Sequence, residues 1–170
     1  MTPEDFAQEE KFSECYDALI GVMKMDYSLA LSIFKCFYEF LAENLETEVV
    51  IDSAVELPED ANFGASVKID GAVSFVTGVL AEKKVFHKIA ERYEHFKIDS
   101  LEEDFDAVSE LLNVVTGLFI VKIASTLEIE EELEPPRFGQ TKKNFGVIKI
   151  IVNIGTFYLY IGREEIFDNE

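Results

Sequence analysis

The sequence contains no tryptophan and is poor in cysteine, proline and basic residues. Its 170 residues include two cysteines and four prolines, with 15 lysines and arginines against 34 aspartates and glutamates. Nucleic-acid binding relies on clustered Lys and Arg, so the formal charge of −19 argues against a nucleic-acid partner. The same shortage of positive charge disfavours an anionic membrane surface.

The two cysteines, Cys15 and Cys36, lie in apolar, helix-like stretches without a CxxC motif or a nearby His. Free thiols are therefore expected rather than a disulfide or a metal site. The opening residues, MTPEDFAQEE, are acidic where a signal peptide would be basic and then apolar. No apolar run approaches the ~20 residues that span a bilayer. We therefore expect a cytoplasmic protein without a membrane partner.

Hydrophobic residues are plentiful, at 48% of the chain, and they include 15 Phe and 6 Tyr. That fraction is enough to bury a sizeable core at this length, and the length suits one domain, or one domain with an appendage. Because tryptophan is missing, Phe and Tyr must supply the aromatic volume of the core.

Helical spacing of apolar residues predicts the first two elements. The stretch from Glu9 to about Met25 predicts a short helix whose attachment is left open. After Asp26, a candidate N-cap, the run YSLALSIFKCFYEFLAENL is apolar around most of its circumference and predicts a buried helix. Residues 1–25 are accordingly assigned to an N-terminal helical extension and residues 26–170 to the main domain.

Short segments rich in β-branched residues predict strands in EVVIDSAVELP, ASVKIDG and AVSFVTGVL, with a hairpin at Asp70-Gly71. Helices are predicted from about Glu82 to Phe96 and from about Leu101 to Ser125, the second capped by Ser100. The acidic segment LEIEEELEPPR ends helical order at its prolines and predicts a solvated connector, with a hard-cation site as the alternative.

The apolar stretch FGVIKIIVNIGTFYLYIG predicts two further strands around Asn153 to Gly155. These strands, from Val147 to Ile161, are candidate edges of the sheet. The order of helix, strands, two helices and strands indicates a single α+β domain with an antiparallel sheet packed against long helices.

The helix after Ser100 contains the stretch DAVSELLNVVTG, whose spacing places several polar residues in one row on the solvent-exposed face of the helix. At about 100° per residue, one stripe of roughly 60° holds Asp106, Glu110, Asn113 and Gly117. The residues expected beside this stripe are Ser109, Thr116 and the two early glutamates, Glu102 and Glu103. The opposite, buried face is expected to contain Phe105, Val108, Leu112, Val115 and Phe119.

Asn113 and Gly117 are unusual choices for an exposed helix face. A mid-helix Gly costs about 1 kcal/mol relative to Ala, and Asn is a mediocre helix former. Folding gives no reason to prefer Asn113, whereas a small residue at Gly117 lets another surface approach the helix closely. The alternative is an ordinary solvated face, as on most charged helices.

The spacing continues beyond this helix, because Asp106, Glu110, Asn113 and Pro136 match the pattern (D/S)xxxExxN(x22)P. This pattern resembles that of the CheC/CheX/FliY family of chemotaxis phosphatases. The resemblance extends from about Asp26 to the end of the chain and includes the preceding helix AEKKVFHKIAERYE. It also includes ELLNVVTG, where the family has ELxNxxxG.

The resemblance implies a CheX-like domain over residues 26–170. It also implies removal of the phosphoryl group from the aspartyl phosphate of a response-regulator receiver domain such as CheY. Carried onto this chain, Asn113 would orient the attacking water and Glu110 would pair with the receiver's active-site Lys. Asp106, Gly117 and Pro136 match the family pattern and support the resemblance, without an assigned role in the reaction. No cofactor of the chain's own is implied, since the receiver supplies Mg²⁺.

One active site per chain is expected, as in CheX. Ser32 and Lys35 stand where a second copy of the pattern would need Glu and Asn. The resemblance further implies a homodimer joined edge to edge through its sheets. His87 and His95, on the helix before the motif, are expected to be ordinary surface or boundary residues.

Two alternatives to the phosphatase are kept. The first is a non-catalytic module of the same fold that binds a receiver domain or a flagellar-switch component. The second is an acidic structural protein whose helix face only resembles the motif.

Overall fold

The chain folds into an antiparallel sheet with helices packed on it, and the computed structural model describes residues 3–72, 74–127 and 131–167. Within these ranges there are four helices and seven strands. In chain order they are α1 (Pro3–Met23), α2 (Tyr27–Asn44), β1 (Val50–Glu56), β2 (Phe63–Gly71), β3 (Phe75–Ala81), α3 (Lys83–Glu94), α4 (Leu101–Leu127), β4 (Glu131–Leu133), β5 (Arg137–Gln140), β6 (Gly146–Val152) and β7 (Gly155–Gly162). The predicted α+β class is confirmed.

The strands lie in the order β1-β6-β7-β3-β2-β4, and β5 also pairs with β2. All the pairs are antiparallel. The predicted hairpin at Asp70-Gly71 joins β2 to β3, and the predicted turn before Gly155 joins β6 to β7. Gly155 has a φ of 140°, a conformation that favours glycine.

The edges of the sheet differ from those predicted. Strands β6 and β7 lie inside the sheet, while β1 forms one edge and β4 and β5 form the other. The prediction of β6 and β7 as edges was wrong. Their nearly continuous apolar runs are typical of interior strands covered on both faces, and Val147, Ile148 and Leu159 are fully buried.

The acidic segment after α4 is also more ordered than the sequence suggests, although its residues 128–130 lie outside the described ranges. Instead of forming only a solvated connector, it contributes β4 and leads into β5, both paired with β2. Pro135 and Pro136 separate the two short strands. A proline is tolerated on the outer edge of a sheet because its missing N–H would face solvent there.

The core has two parts, one on each face of the sheet. Along β3, Phe75 and Val79 face the cluster that contains the helices, while Val76 and Leu80 face the other side. That second cluster is Leu57, Ala61, Val76, Leu80, Val147, Tyr160, Ile166 and Phe167. The helices therefore gather on one face, and chain segments near residues 57–61 and 166–167 cover part of the other.

Both predicted helix caps are confirmed. The Ser28 N–H donates to Asp26 Oδ2 at 3.1 Å at the start of α2, and the Glu103 N–H donates to Ser100 Oγ at 3.2 Å at the start of α4. Each bond satisfies a backbone donor that lacks a partner inside its helix. The second cap fixes where the helix with the candidate motif begins.

Helix α1 begins at Pro3, earlier than predicted, and it packs in the same core as α2 and the sheet. Phe12 is fully buried and stacks on Phe34, with ring centroids 4.6 Å apart. Burial raises the pKa of the Cys15 thiol to about 11. Both cysteines are free, as expected. The domain boundary between residues 25 and 26 stays a prediction.

Part of α4, Leu101–Ala124, is long and apolar enough to cross a membrane by length and composition. The sequence-based expectation that no apolar segment approaches this length therefore does not hold for α4. A core helix of a globular protein passes the same test. Here Val108, Leu112 and Val115 are fully buried in the main core.

Because Phe12 lies inside the core, we predict that Phe12→Ala lowers the free energy of unfolding of the whole domain by about 3–5 kcal/mol. Ile20→Ala on the same helix, at a residue 54% exposed, should change it by less than about 0.5 kcal/mol. Urea denaturation followed by circular dichroism measures both. Equal unfolding midpoints for parent and Phe12→Ala would show that α1 adds nothing to the stability of the core.

Candidate functional site

The outer face of α4 carries the four motif residues of this helix in one row. Asp106, Glu110 and Asn113 are exposed, and Gly117 is half-buried. A Cβ at Gly117 would have no neighbouring atom within 4 Å, so the space above it is open. The face opposite this row is buried, as predicted, and includes Phe105, Val108, Leu112, Val115 and Phe119.

Ser109 and Thr116, predicted beside the exposed row, are buried instead. Thr116 Oγ1 donates to the Leu112 carbonyl oxygen at 2.6 Å, one turn back along α4. This satisfies the hydroxyl inside the helix, as Thr often does when it is buried. The exposed row is therefore narrower on one side than the helical projection suggested, and small polar residues pack below it.

Glu110 is contacted by a side chain that the sequence did not single out. The Tyr93 hydroxyl, on α3, donates to Glu110 Oε1 at 3.4 Å. Burial, together with the negative charge of Glu110, raises the pKa of Tyr93 to about 12. Tyr93 packs on Phe40 of α2, with ring centroids 6.2 Å apart. A neutral donor fixed by packing thus lies beside the carboxylate without neutralising it.

A recess of about 180 Å³ lies between the end of α3 and the first turns of α4. Its lining residues are Glu94, Phe96, Ile98, Glu103, Asp106, Ala107 and Glu110. Burial and the nearby charge of Glu110 raise the pKa of Glu94. Four carboxylates converge here, so the recess favours a positively charged group from a partner.

His87 connects α3 to the first turn of α4. Its Nδ1 lies 2.8 Å from Asp104 Oδ1, and its Nε2 lies 3.3 Å from Glu91 Oε1. Asp104 is buried, which raises the pKa of its carboxyl, while the bond with His87 opposes that shift. His87 is half-buried, as a boundary residue should be, and it holds the helix that carries Tyr93 against the helix that carries Glu110.

The remaining predicted residue, Pro136, lies apart from the recess. It is half-buried directly before β5, on the outer side of β2. The structure thus brings Asp106, Glu110, Asn113 and Gly117 onto one surface and places Pro136 at the sheet edge. Among the described residues, no group of three or more His, Cys, Asp or Glu is arranged to hold a metal ion.

The row can engage a concave site on another molecule. Side chains three residues apart on a helix, such as Glu110 and Asn113, are neighbours with Cβ atoms about 5–6 Å apart. One offers a carboxylate for a cation, and the other offers a carboxamide that both donates and accepts hydrogen bonds. The open space at Gly117 lets a partner approach the helix backbone.

The sequence matches no protein-family model and no curated protein. Its fold, however, is similar to several solved structures. The chemotaxis protein CheX from Desulfovibrio desulfuricans superposes with a TM-score of 0.63 at 17% identity, over 81% of this chain and 99% of that one. A CheC-like superfamily protein from Shewanella sp. PV-4 superposes with a TM-score of 0.65 at 17% identity, over 83% of this chain and 100% of that one.

A third similar structure is the complex of CheX with CheY, BeF3 and Mg²⁺ from Borrelia burgdorferi. Its TM-score is 0.59 at 15% identity, over 82% of this chain and 99% of that one. Likeness at these identities concerns the backbone arrangement. The chain therefore has the α+β fold of the CheX and CheC-like chemotaxis proteins.

Proposed function

We propose that this protein is a CheX-like phosphatase that removes the phosphoryl group from the aspartyl phosphate of a CheY-type receiver domain. The observation that carries the proposal is the exposed pair of Glu110 and Asn113 on one face of α4, beside the open space at Gly117. The CheX–CheY complex from Borrelia burgdorferi, a protein of similar fold, supports a receiver domain as the partner.

In this mechanism Asn113 positions the attacking water. Its carboxamide accepts a hydrogen bond from the water through its oxygen and donates another through its nitrogen, which holds the water in line with the phosphorus. No shifted pKa is needed for this role. A 100-fold acceleration requires only about 2.7 kcal/mol, which lies within what positioning supplies.

Glu110 fixes the register by pairing with the receiver's active-site Lys. The acidic recess formed with Glu94 and Asp106 draws that cation toward α4. Tyr93 acts as a positioning residue, because its hydroxyl restricts the Glu110 carboxylate without cancelling its charge. The receiver brings the Mg²⁺ and the Lys that stabilise the developing charge.

The proposal places the protein in the cytoplasm, where a soluble receiver is available. The homodimer implied by the family resemblance stays a prediction. If two chains join their sheets edge to edge, the strands open to pairing are β1 on one side and β4 and β5 on the other, rather than β6 or β7.

We predict that Asn113→Ala lowers the stimulated rate of receiver dephosphorylation by on the order of 100-fold, because the water loses its positioning group. The change should not unfold the protein, since Ala is a better helix former than Asn. The measurement is the decay of phosphoryl label on the receiver with no addition, with the parent and with the variant. Asn144→Ala, at an exposed residue of the loop before β6, is the matched control.

The decay curves separate the proposal from its alternatives. Full activity of Asn113→Ala would exclude the assigned mechanism. A parent protein that binds the receiver but leaves its phosphoryl lifetime unchanged would instead indicate a non-catalytic interaction module. If the protein neither binds nor accelerates the dephosphorylation of any receiver in a panel, the remaining hypothesis is the acidic structural protein.

We also predict that Glu110→Gln lowers kcat/KM at least tenfold, or by about 1.4 kcal/mol, because it removes the charge that meets the receiver's Lys. Added salt should weaken binding of the parent more than binding of the variant, since salt screens only the charged pair. Glu56→Gln, at an exposed residue of β1, serves as the control. Equal salt dependence for Glu110→Gln and the parent would argue against this ion pair.

A further inference from the structure

The outer face of α4 changes character beyond Asn113. Its first half is acidic, whereas its second half exposes three large apolar side chains at helical spacing. Val114 is 37% exposed, Leu118 is 52% exposed and Val121 is 69% exposed. We call these three residues the apolar stripe. In a chain with a charge of −19, a face that only met water would be expected to carry charged residues there.

The apolar stripe belongs to the same surface as the polar pair. At about 100° per residue, Val114, Leu118 and Val121 lie within about 80° of Glu110 around the helix. At about 1.5 Å per residue, the surface from Glu110 to Val121 is about 16 Å long. Gly117 lies between the two parts, and the open space above it removes any barrier between them.

We infer that the apolar stripe is a docking ridge for the receiver domain that meets Glu110 and Asn113, so that the stripe sets affinity while Asn113 sets turnover. This inference rests on the proposed function and names the surface that the same partner uses. The receiver is expected to carry a complementary apolar patch beside its phosphoryl pocket.

The position of the apolar stripe beside Glu110 supports the receiver as its occupant. A domain of 100 residues has a radius of gyration of about 13 Å, so it is wider than the 16 Å of helix from Glu110 to Val121. Around the helix, Val121 lies about 20° and Val114 about 40° from Glu110, so a receiver that contacts Glu110 also covers these two side chains. Leu118 lies further around the helix, about 80° from Glu110, and forms the flank of the same contact.

On the other side of the polar pair, Phe96 is 59% exposed and lines the acidic recess. The polar pair is thus flanked by apolar groups at both ends of the surface. Such an arrangement excludes water from the rim of the contact, and exclusion of water strengthens the hydrogen bonds at Glu110 and Asn113. The apolar groups therefore belong to the same interface as the chemistry.

The test compares binding with turnover for a variant that makes the stripe polar. Leu118→Gln/Val121→Gln places a good helix former at both exposed positions, so the fold should persist. The dissociation constant is measured for the receiver loaded with BeF3 and Mg²⁺, a stable mimic of the phosphorylated state. KM and kcat are measured with the phosphorylated receiver. Ile20→Gln, at an exposed residue of α1, is the matched control.

The expected result is a rise of at least tenfold in both Kd and KM, with kcat within about twofold of the parent and no change for Ile20→Gln. Asn113→Ala should give the opposite pattern, with a lower kcat and an unchanged Kd. If the parent protein is active and the stripe variant has an unchanged Kd, the apolar stripe does not dock the receiver. The proposed phosphatase function would still stand.

Two other outcomes also decide the inference. If the parent binds the loaded receiver without accelerating dephosphorylation, the proposed function fails, and the Kd of the stripe variant still decides whether the ridge docks the receiver. If the variant changes the mass of the protein in light scattering while Kd stays the same, the stripe is a contact between two copies of this chain. That result would overturn its assignment to the receiver.

Discussion

The burial of one face of α4 is the interaction on which the rest of the site depends. Val108, Leu112 and Val115 are fully buried in the main core, and this fixes the rotation of the helix about its axis. Once the rotation is fixed, Glu110 and Asn113 can only point outward. At about 1.5 Å per residue, the 27 residues of α4 form a rod about 40 Å long. Side chains far apart in sequence are therefore held in register along one surface.

Helix α3 contacts α4 at two points and helps to position this surface. The bond between His87 and Asp104 ties the two helices together near the start of α4, and Tyr93 reaches Glu110 further along. Asp104 has lost most of its contact with water, so its bond to His87 matters more than an exposed pair would. The acidic recess lies between these same two helices. Charge at the site is thus concentrated by packing as well as by composition.

The fold class, the two helix caps and the orientation of α4 could be predicted because they follow from local periodicity and local hydrogen bonds. The positions of Ser109 and Thr116 could not, because helical spacing gives an angle but not the width of the surface that neighbours cover. Strands β4 and β5 were missed since pairing with β2, rather than their own short sequences, creates them. Tyr93 was missed for a related reason: only the packing of α3 on α4 brings it to Glu110.

The division of the α4 surface into a polar and an apolar part fits the energetics of the proposed reaction. Orienting one water needs a rigid group but little energy, because the acyl phosphate is reactive and its receiver supplies the metal ion. In the proposed function Asn113 would meet that need at a small cost in helix propensity. Binding affinity depends on the apolar area that is removed from water. A single carboxamide provides little of it, whereas the exposed side chains of Leu118 and Val121 can provide more. A helix locked by its buried face lets both tasks be met side by side, since neither requires the chain to move.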